Sequence, residues 1–143
     1  MSERVRPTIL AIGDAFSLVA FVVLGLRSHD EGVTAAGLAR TALPLLAGWF
    51  AAAAAVRLYA RGGISRFLVT WAVGVTAGVA LRALILGRPA DGSELTFWAV
   101  ALAVTLALLL AWRLLALLLS LQSPRTSPRR SRWYSRPTGR SRN

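Results

Sequence analysis

Two charged residues stand inside otherwise apolar stretches of this sequence. Asp14 lies within the first long apolar run, residues 7–26, and Arg113 lies near the far end of the last one. A carboxylate in the middle of a lipid bilayer costs about 2.5–3.5 kcal/mol on insertion scales, so such groups usually face the interior of a helix bundle and have a partner. The chemistry open to Asp14 is therefore ion pairing or proton transfer.

An ion pair between Asp14 and Arg113 is geometrically reasonable. Asp14 is about six residues into its run, which places it about 10 Å deep in a helix, and Arg113 has a similar depth if the last helix returns to the same side. Such a pair would close the bundle, fix its register and lower the cost of both charges. Two alternatives stay open: Asp14 acts in a proton or ion relay, or Arg113 extends to the headgroups without meeting it.

A second polar group follows the first apolar run and contains the only His of the chain. A His titrates near neutral pH and can transfer protons, but metal sites usually need three or four protein ligands. We interpret this outer polar cluster as a structural cap over the bundle, with an entry site for a ligand or proton as the alternative. Its members are Arg27, Ser28, His29, Glu31, Arg40 and Arg82.

The elements that must position these residues are membrane-spanning helices. The chain has 143 residues, 55% of them hydrophobic, and its charges crowd between and after four apolar blocks. A spanning helix needs about 20 apolar residues, and short connections make neighbouring helices antiparallel. We predict an all-α fold, an antiparallel bundle of four transmembrane helices within residues 1–121, with spans at about 8–26, 38–59, 67–86 and 95–121.

The distribution of Arg predicts the orientation of the bundle. All 17 basic residues are Arg, and 12 of them lie in the N-terminus, the second loop and the C-terminal tail, which must share one side. The positive-inside rule places that side in the cytoplasm. We therefore expect a multi-pass protein of the prokaryotic inner membrane with both termini cytoplasmic.

Small residues predict close helix packing. Gly48 lies in the second span, and Gly74 and Gly78 lie one turn apart on one face of the third. This spacing lets two helix backbones approach closely. The faces pack either within one bundle or as the seam of a homodimer.

The C-terminal segment, residues 122–143, is rich in Arg, Ser and Pro and has too few apolar residues to form a core, which predicts disorder. Each Arg near an anionic leaflet contributes about 1 kcal/mol, so we expect this tail to bind anionic lipids. Nucleic acid is not expected as a partner, because no folded recognition module accompanies the tail.

Residues 25–32 have the sequence GLRSHDEG, and residues 41–48, 71–82 and 97–113 contain further Gly, Pro, Trp and Arg landmarks. Through these segments the chain resembles the domain-of-unknown-function 3054 family over about residues 9–115. Residues 25–32 are similar to its Gly-Arg-x-Ser-His-x-Glu-Gly signature, and the other three segments resemble its later landmarks. Leu26, Leu45 and Ala111 depart from the pattern, and Leu26 removes one positive charge from the outer polar cluster. The resemblance implies a small four-helix prokaryotic membrane protein without an assigned activity. The resemblance also implies that five residues occupy positions of the family pattern: Asp14, Ser28, His29, Arg82 and Arg113.

No catalytic motif, phosphate loop or dinucleotide fingerprint occurs in the sequence. We predict a non-enzymatic protein without a cofactor or metal. The favoured function is an accessory or interaction protein of the inner membrane, with a larger membrane complex or further copies of itself as partner. The alternative is a small oligomeric transporter or proton-coupled permease that uses Asp14.

Overall fold

The computed structural model describes residues 6–28, 34–87 and 92–122, and the regular structure in these ranges is helical. Four long helices and one short helix follow each other along the chain. Their bounds are α1 (Pro7–Ser28), α2 (Ala35–Ala55), α3 (Leu58–Arg61), α4 (Ile64–Leu86) and α5 (Gly92–Gln122). The predicted tail, apart from Gln122, lies outside the described residues.

The four long helices are each long and apolar enough to cross a membrane. Many large apolar side chains point outward from them, among them Phe16, Leu84, Leu95 and Leu121, which are between 66% and 79% exposed. A soluble monomer rarely exposes apolar patches on this scale. The outer surface of the protein therefore suits lipid, and the chain has the architecture of a multi-pass membrane protein.

Local sequence signals explain where the helices begin and end. Pro7 starts α1, where its missing N–H costs nothing. Thr34 caps α2, since its hydroxyl oxygen accepts a hydrogen bond from the Gly37 amide at 3.1 Å. Gly87 ends α4 in the left-handed conformation, which glycine adopts without strain.

The second helix ends earlier than the sequence predicts. We expected the span to continue to Tyr59, but α2 stops at Ala55 and Arg57 takes a left-handed conformation, with φ 54° and ψ 45°. The one-turn helix α3 follows, and the chain leaves it through Gly62 and Gly63, which both have positive φ. At its other end α2 begins nine residues before Pro44, so this proline lies inside the helix and does not mark its start.

The closest helix contact joins α2 to α4. A Cβ built on Gly48 would lie 2.5 Å from the Gly74 carbonyl oxygen and 2.6 Å from the Gly78 amide nitrogen. Gly74 meets the backbone of Trp49, and Gly78 meets that of Leu45, so the two helices pass each other in opposite directions. Gly48, Gly74 and Gly78 thus pack two helices of the same chain against each other.

Contacts among the described residues also join α1 to α2, α4 to α5 and α5 to α1. The four long helices therefore form a ring in the order α1, α2, α4, α5. Gly13 in α1 leaves space that the Trp112 ring of α5 fills, and the Trp71 indole of α4 donates to the Leu102 carbonyl of α5 at 3.1 Å. Buried apolar side chains, including Leu18, Leu45 and Leu109, fill the space within the ring.

We predict that Gly48→Ala lowers the free energy of unfolding by about 1–3 kcal/mol, because the added methyl group must push two backbones apart. The measurement is denaturant unfolding in detergent micelles. Gly25→Ala is the matched control, since a Cβ there meets nothing within 4 Å. Equal stability of the two variants would contradict a close α2–α4 contact.

Candidate functional site

Asp14 is buried on the interior face of α1. Its side chain has 0% exposure, and further buried positions of this helix follow it at helical spacing, at Ser17, Leu18, Phe21 and Val22. It is the one acidic residue of α1. Its position makes it the starting point of the candidate site.

Arg113 of α5 forms an ion pair with Asp14. The Arg113 Nη2 atom donates to Asp14 Oδ2 at 2.6 Å. The carbon at the centre of the guanidinium lies 4.5 Å from the centre of the Phe67 ring of α4, a geometry in which a cation is attracted to the aromatic face. The Arg113 side chain is 22% exposed, so this end of the pair lies closer to the surface than Asp14 does. The structure thus brings together the two intramembrane charges of the sequence.

Tyr59 of α3 is a third member of the site that the sequence did not reveal. Its hydroxyl donates to Asp14 Oδ2 at 2.8 Å and accepts a hydrogen bond from Trp49 Nε1 of α2 at 2.9 Å. Burial, and then the nearby Asp14 carboxylate, raise the pKa of Tyr59, so the hydroxyl stays protonated at neutral pH and remains a donor. In the sequence Tyr59 is the last residue of the predicted second span, and Gly62-Gly63 follows it closely. The glycine pair indicates a turn, but no local pattern marks the left-handed residue Arg57 that brings Tyr59 to Asp14.

We call this group the Asp14 network. It takes one residue from each of the five helices, and it holds one anion and one cation at its centre. A buried charge is costly unless it is paired and hydrogen-bonded, and here two donors reach the same carboxylate oxygen. Its members are Asp14, Trp49, Tyr59, Phe67 and Arg113.

Three buried atoms beside the pair have no hydrogen-bond partner among the described residues: Asp14 Oδ1, Arg113 Nε and Trp112 Nε1. Such atoms are uncommon in folded proteins, and each one costs about 1–3 kcal/mol when it is left unsatisfied. Two of the three belong to the ion pair itself, so the pair uses only part of its hydrogen-bonding capacity.

The outer polar cluster is described only in part. Arg27 and Arg40 are exposed, while Arg82 is half-buried with its guanidinium 4.3 Å from the centre of the Phe97 ring. Arg82 and Phe97 also line a small, mainly apolar pocket with Phe21 and Thr41. His29, Glu31 and the side chain of Ser28 lie outside the described residues. The predicted cap therefore stays a prediction.

A family model described as "Protein of unknown function (DUF3054)" matches residues 11–116. The chain belongs to the DUF3054 family. This confirms the resemblance seen in the sequence. No curated protein and no solved structure matches the chain. The DUF3054 segment contains every member of the Asp14 network, so the network is built wholly within the part of the chain that the family defines.

We predict that Asp14 and Arg113 are energetically coupled. Asp14→Asn alone leaves the Arg113 charge without its partner, and breaking a buried pair in this way costs up to about 3–5 kcal/mol. The partial exposure of Arg113 lowers that cost, since the side chain can turn toward water. The double variant with Arg113→Gln removes both charges and should lose less stability than Asp14→Asn alone.

The measurement is a double-mutant cycle of unfolding free energies in micelles, in which contacting residues typically show coupling of about 0.5–3 kcal/mol. Thr105→Val serves as the control partner for Asp14→Asn, because the Thr105 hydroxyl bonds only within its own helix. Simple additivity of Asp14→Asn and Arg113→Gln would show that the ion pair does not contribute to the fold.

Proposed function

We propose that this DUF3054 protein is a non-enzymatic accessory protein of the prokaryotic inner membrane, an antiparallel four-helix bundle that works by binding another membrane protein or further copies of itself. The observation that carries this proposal is that Asp14 is buried and paired. Its carboxylate is fully buried and bonded by Arg113 and Tyr59, so its charge is engaged in holding helices together.

The wide lipid-facing surface supports the same proposal. The predominantly apolar outer faces of the helices offer contact area to a neighbouring helix in the bilayer, where association depends on packing and on hydrogen bonds between helices. The glycine face, by contrast, is already occupied by the α2–α4 contact. A partner therefore meets the bundle through other surfaces.

We further propose that both termini are cytoplasmic. Asp14 near the start of α1 accepts hydrogen bonds from Tyr59 of α3 and from Arg113 in the last third of α5. The start of α1, the helix α3 and the end of α5 therefore lie at one end of the bundle. Arg57 and Arg61 are exposed at that end. The positive-inside rule and the Arg-rich tail support a cytoplasmic location for it, and binding of the tail to anionic lipids follows from the same arrangement.

Reporter fusions in a bacterial host test this orientation. A fluorescent protein that matures only in the cytoplasm should be bright when it is fused after Asn143, and a phosphatase that is active only outside should be inactive there. A fusion after Gly87, at the end of α4, is the matched control and should give the reverse pattern. Phosphatase activity at Asn143 would place the Arg-rich end outside.

The accessory role predicts a stable partner. Extraction from native membranes into lipid nanodiscs, followed by mass measurement of the intact particle, should show a larger membrane protein or a defined homo-oligomer at fixed stoichiometry. The variant Gly25→Ala, whose added Cβ meets nothing within 4 Å, should retain the partner.

The competing function is a small oligomeric transporter or proton-coupled permease. It predicts a different composition of the particle extracted into nanodiscs. A homo-oligomer that repeatedly carries one small ligand, lost on Asp14→Asn while the oligomer persists, would support transport and contradict a purely structural role for Asp14. The same experiment thus separates the two functions.

A further inference from the structure

The unpartnered atoms of the ion pair belong to the two groups that the Arg113–Asp14 hydrogen bond joins. Asp14 Oδ1 is the second oxygen of a carboxylate whose Oδ2 binds Arg113, and Arg113 Nε lies on the same edge of the guanidinium as the bonding Nη2 atom. One free acceptor and one free donor therefore flank a single short hydrogen bond. Both atoms are buried, and the Asp14 side chain has 0% exposure.

One water molecule between these two atoms would satisfy both. Water accepts from Nε and donates to Oδ1, and a buried water typically makes about three hydrogen bonds to groups that would otherwise be unsatisfied. Bridging water contributes nearly as much enthalpy as a direct hydrogen bond.

The helix α3 covers this place at the Arg-rich end of the bundle. It is one turn long, and it is held by the buried side chain of Leu58, which is 2% exposed, and by the Tyr59 hydrogen bonds. Elements with few buried contacts open at lower free energy than the core does. Opening of α3 would carry Tyr59 away from Asp14.

The backbone on both sides of α3 is suited to such a movement. Arg57 has φ 54°, a conformation that costs a non-glycine residue about 1–2 kcal/mol. Gly62 and Gly63 have φ of 63° and 102°, and glycine moves between positive and negative φ without a steric penalty. If α3 leaves its place, Arg57 is free to return to a negative φ.

We propose that Asp14 and Arg113 bind a single water molecule and that α3 is the lid that admits it from the Arg-rich end of the bundle. This goes beyond the proposed accessory function, because it gives the bundle an element with two states, closed over Asp14 and open to water.

Hydration of Asp14 is tested by solid-state NMR in lipid bilayers. The chain has three Asp residues, at 14, 30 and 91, so ¹³C-labelled Asp gives three carboxyl signals, and Asp14→Asn identifies the signal of Asp14. Polarisation should pass from water to the Asp14 carboxyl carbon. Absence of transfer, together with direct contact between Arg113 Nε and Asp14 Oδ1, would show a dry two-bond pair and overturn the water site.

Movement of the lid is tested by hydrogen exchange of the indole N–H groups in ¹⁵N-Trp-labelled protein. Trp49 Nε1 is bonded to Tyr59 beneath α3, and Trp71 Nε1 is bonded to Leu102, away from it. The variant Leu58→Ala removes the apolar anchor of α3 and leaves the polar atoms in place. It should speed exchange at Trp49 about tenfold and leave Trp71 unchanged.

The variant Leu109→Ala is the matched control, because it truncates a fully buried leucine in α5. It weakens the whole bundle and should speed exchange at Trp49 and Trp71 alike. If Leu58→Ala also changes both indoles together, or changes neither, α3 opens only with global unfolding and the lid is disproved. Both experiments use the full chain in bilayers, and neither depends on the identity of a partner protein.

Discussion

The burial of one carboxylate organises the end of the bundle that contains α3. Asp14 is enclosed by apolar helices, where an isolated charge is too costly to maintain. Its cost is met by a cation from α5 and a hydroxyl from α3, which bind the same oxygen. Because these donors come from distant parts of the chain, their hydrogen bonds require the first, middle and last helices to assemble in one arrangement.

The two long-helix pairs associate by different physical means. Glycine removes side chains between α2 and α4, so dispersion contacts between backbones hold this pair. The pair of α1 and α5 instead combines an ion pair with the packing of Trp112 over Gly13. Apolar packing is tolerant of small rotations, whereas a hydrogen-bonded ion pair accepts only a narrow range of geometry. We therefore expect the Asp14 network to fix the register in which α1 and α5 meet.

The connection between α2 and α4 links these two pairs. A continuous helix to Tyr59 would carry this side chain along the axis of α2. The left-handed residue Arg57 breaks the helix instead and turns Tyr59 to the interior, onto Asp14. Trp49 stabilises the same hydroxyl from α2. A single strained residue thus converts the end of a helix into the closing element of the polar site.

The sequence alone determined the membrane class, the four spanning helices, the family and the interior position of Asp14, because these depend on hydropathy, segment length and motif residues that are local along the chain. It also made Arg113 the natural partner of Asp14, since both charges needed one and their depths matched. Tyr59 could not be found in this way, because its role depends on the left-handed turn at Arg57, which no local pattern marks. Only the tertiary structure decided that the glycine face of α2 packs against α4 of the same chain. It also decided that all five helices contribute to the Asp14 network. Both follow from contacts between residues that are far apart in sequence, and hydropathy carries no information about which faces meet.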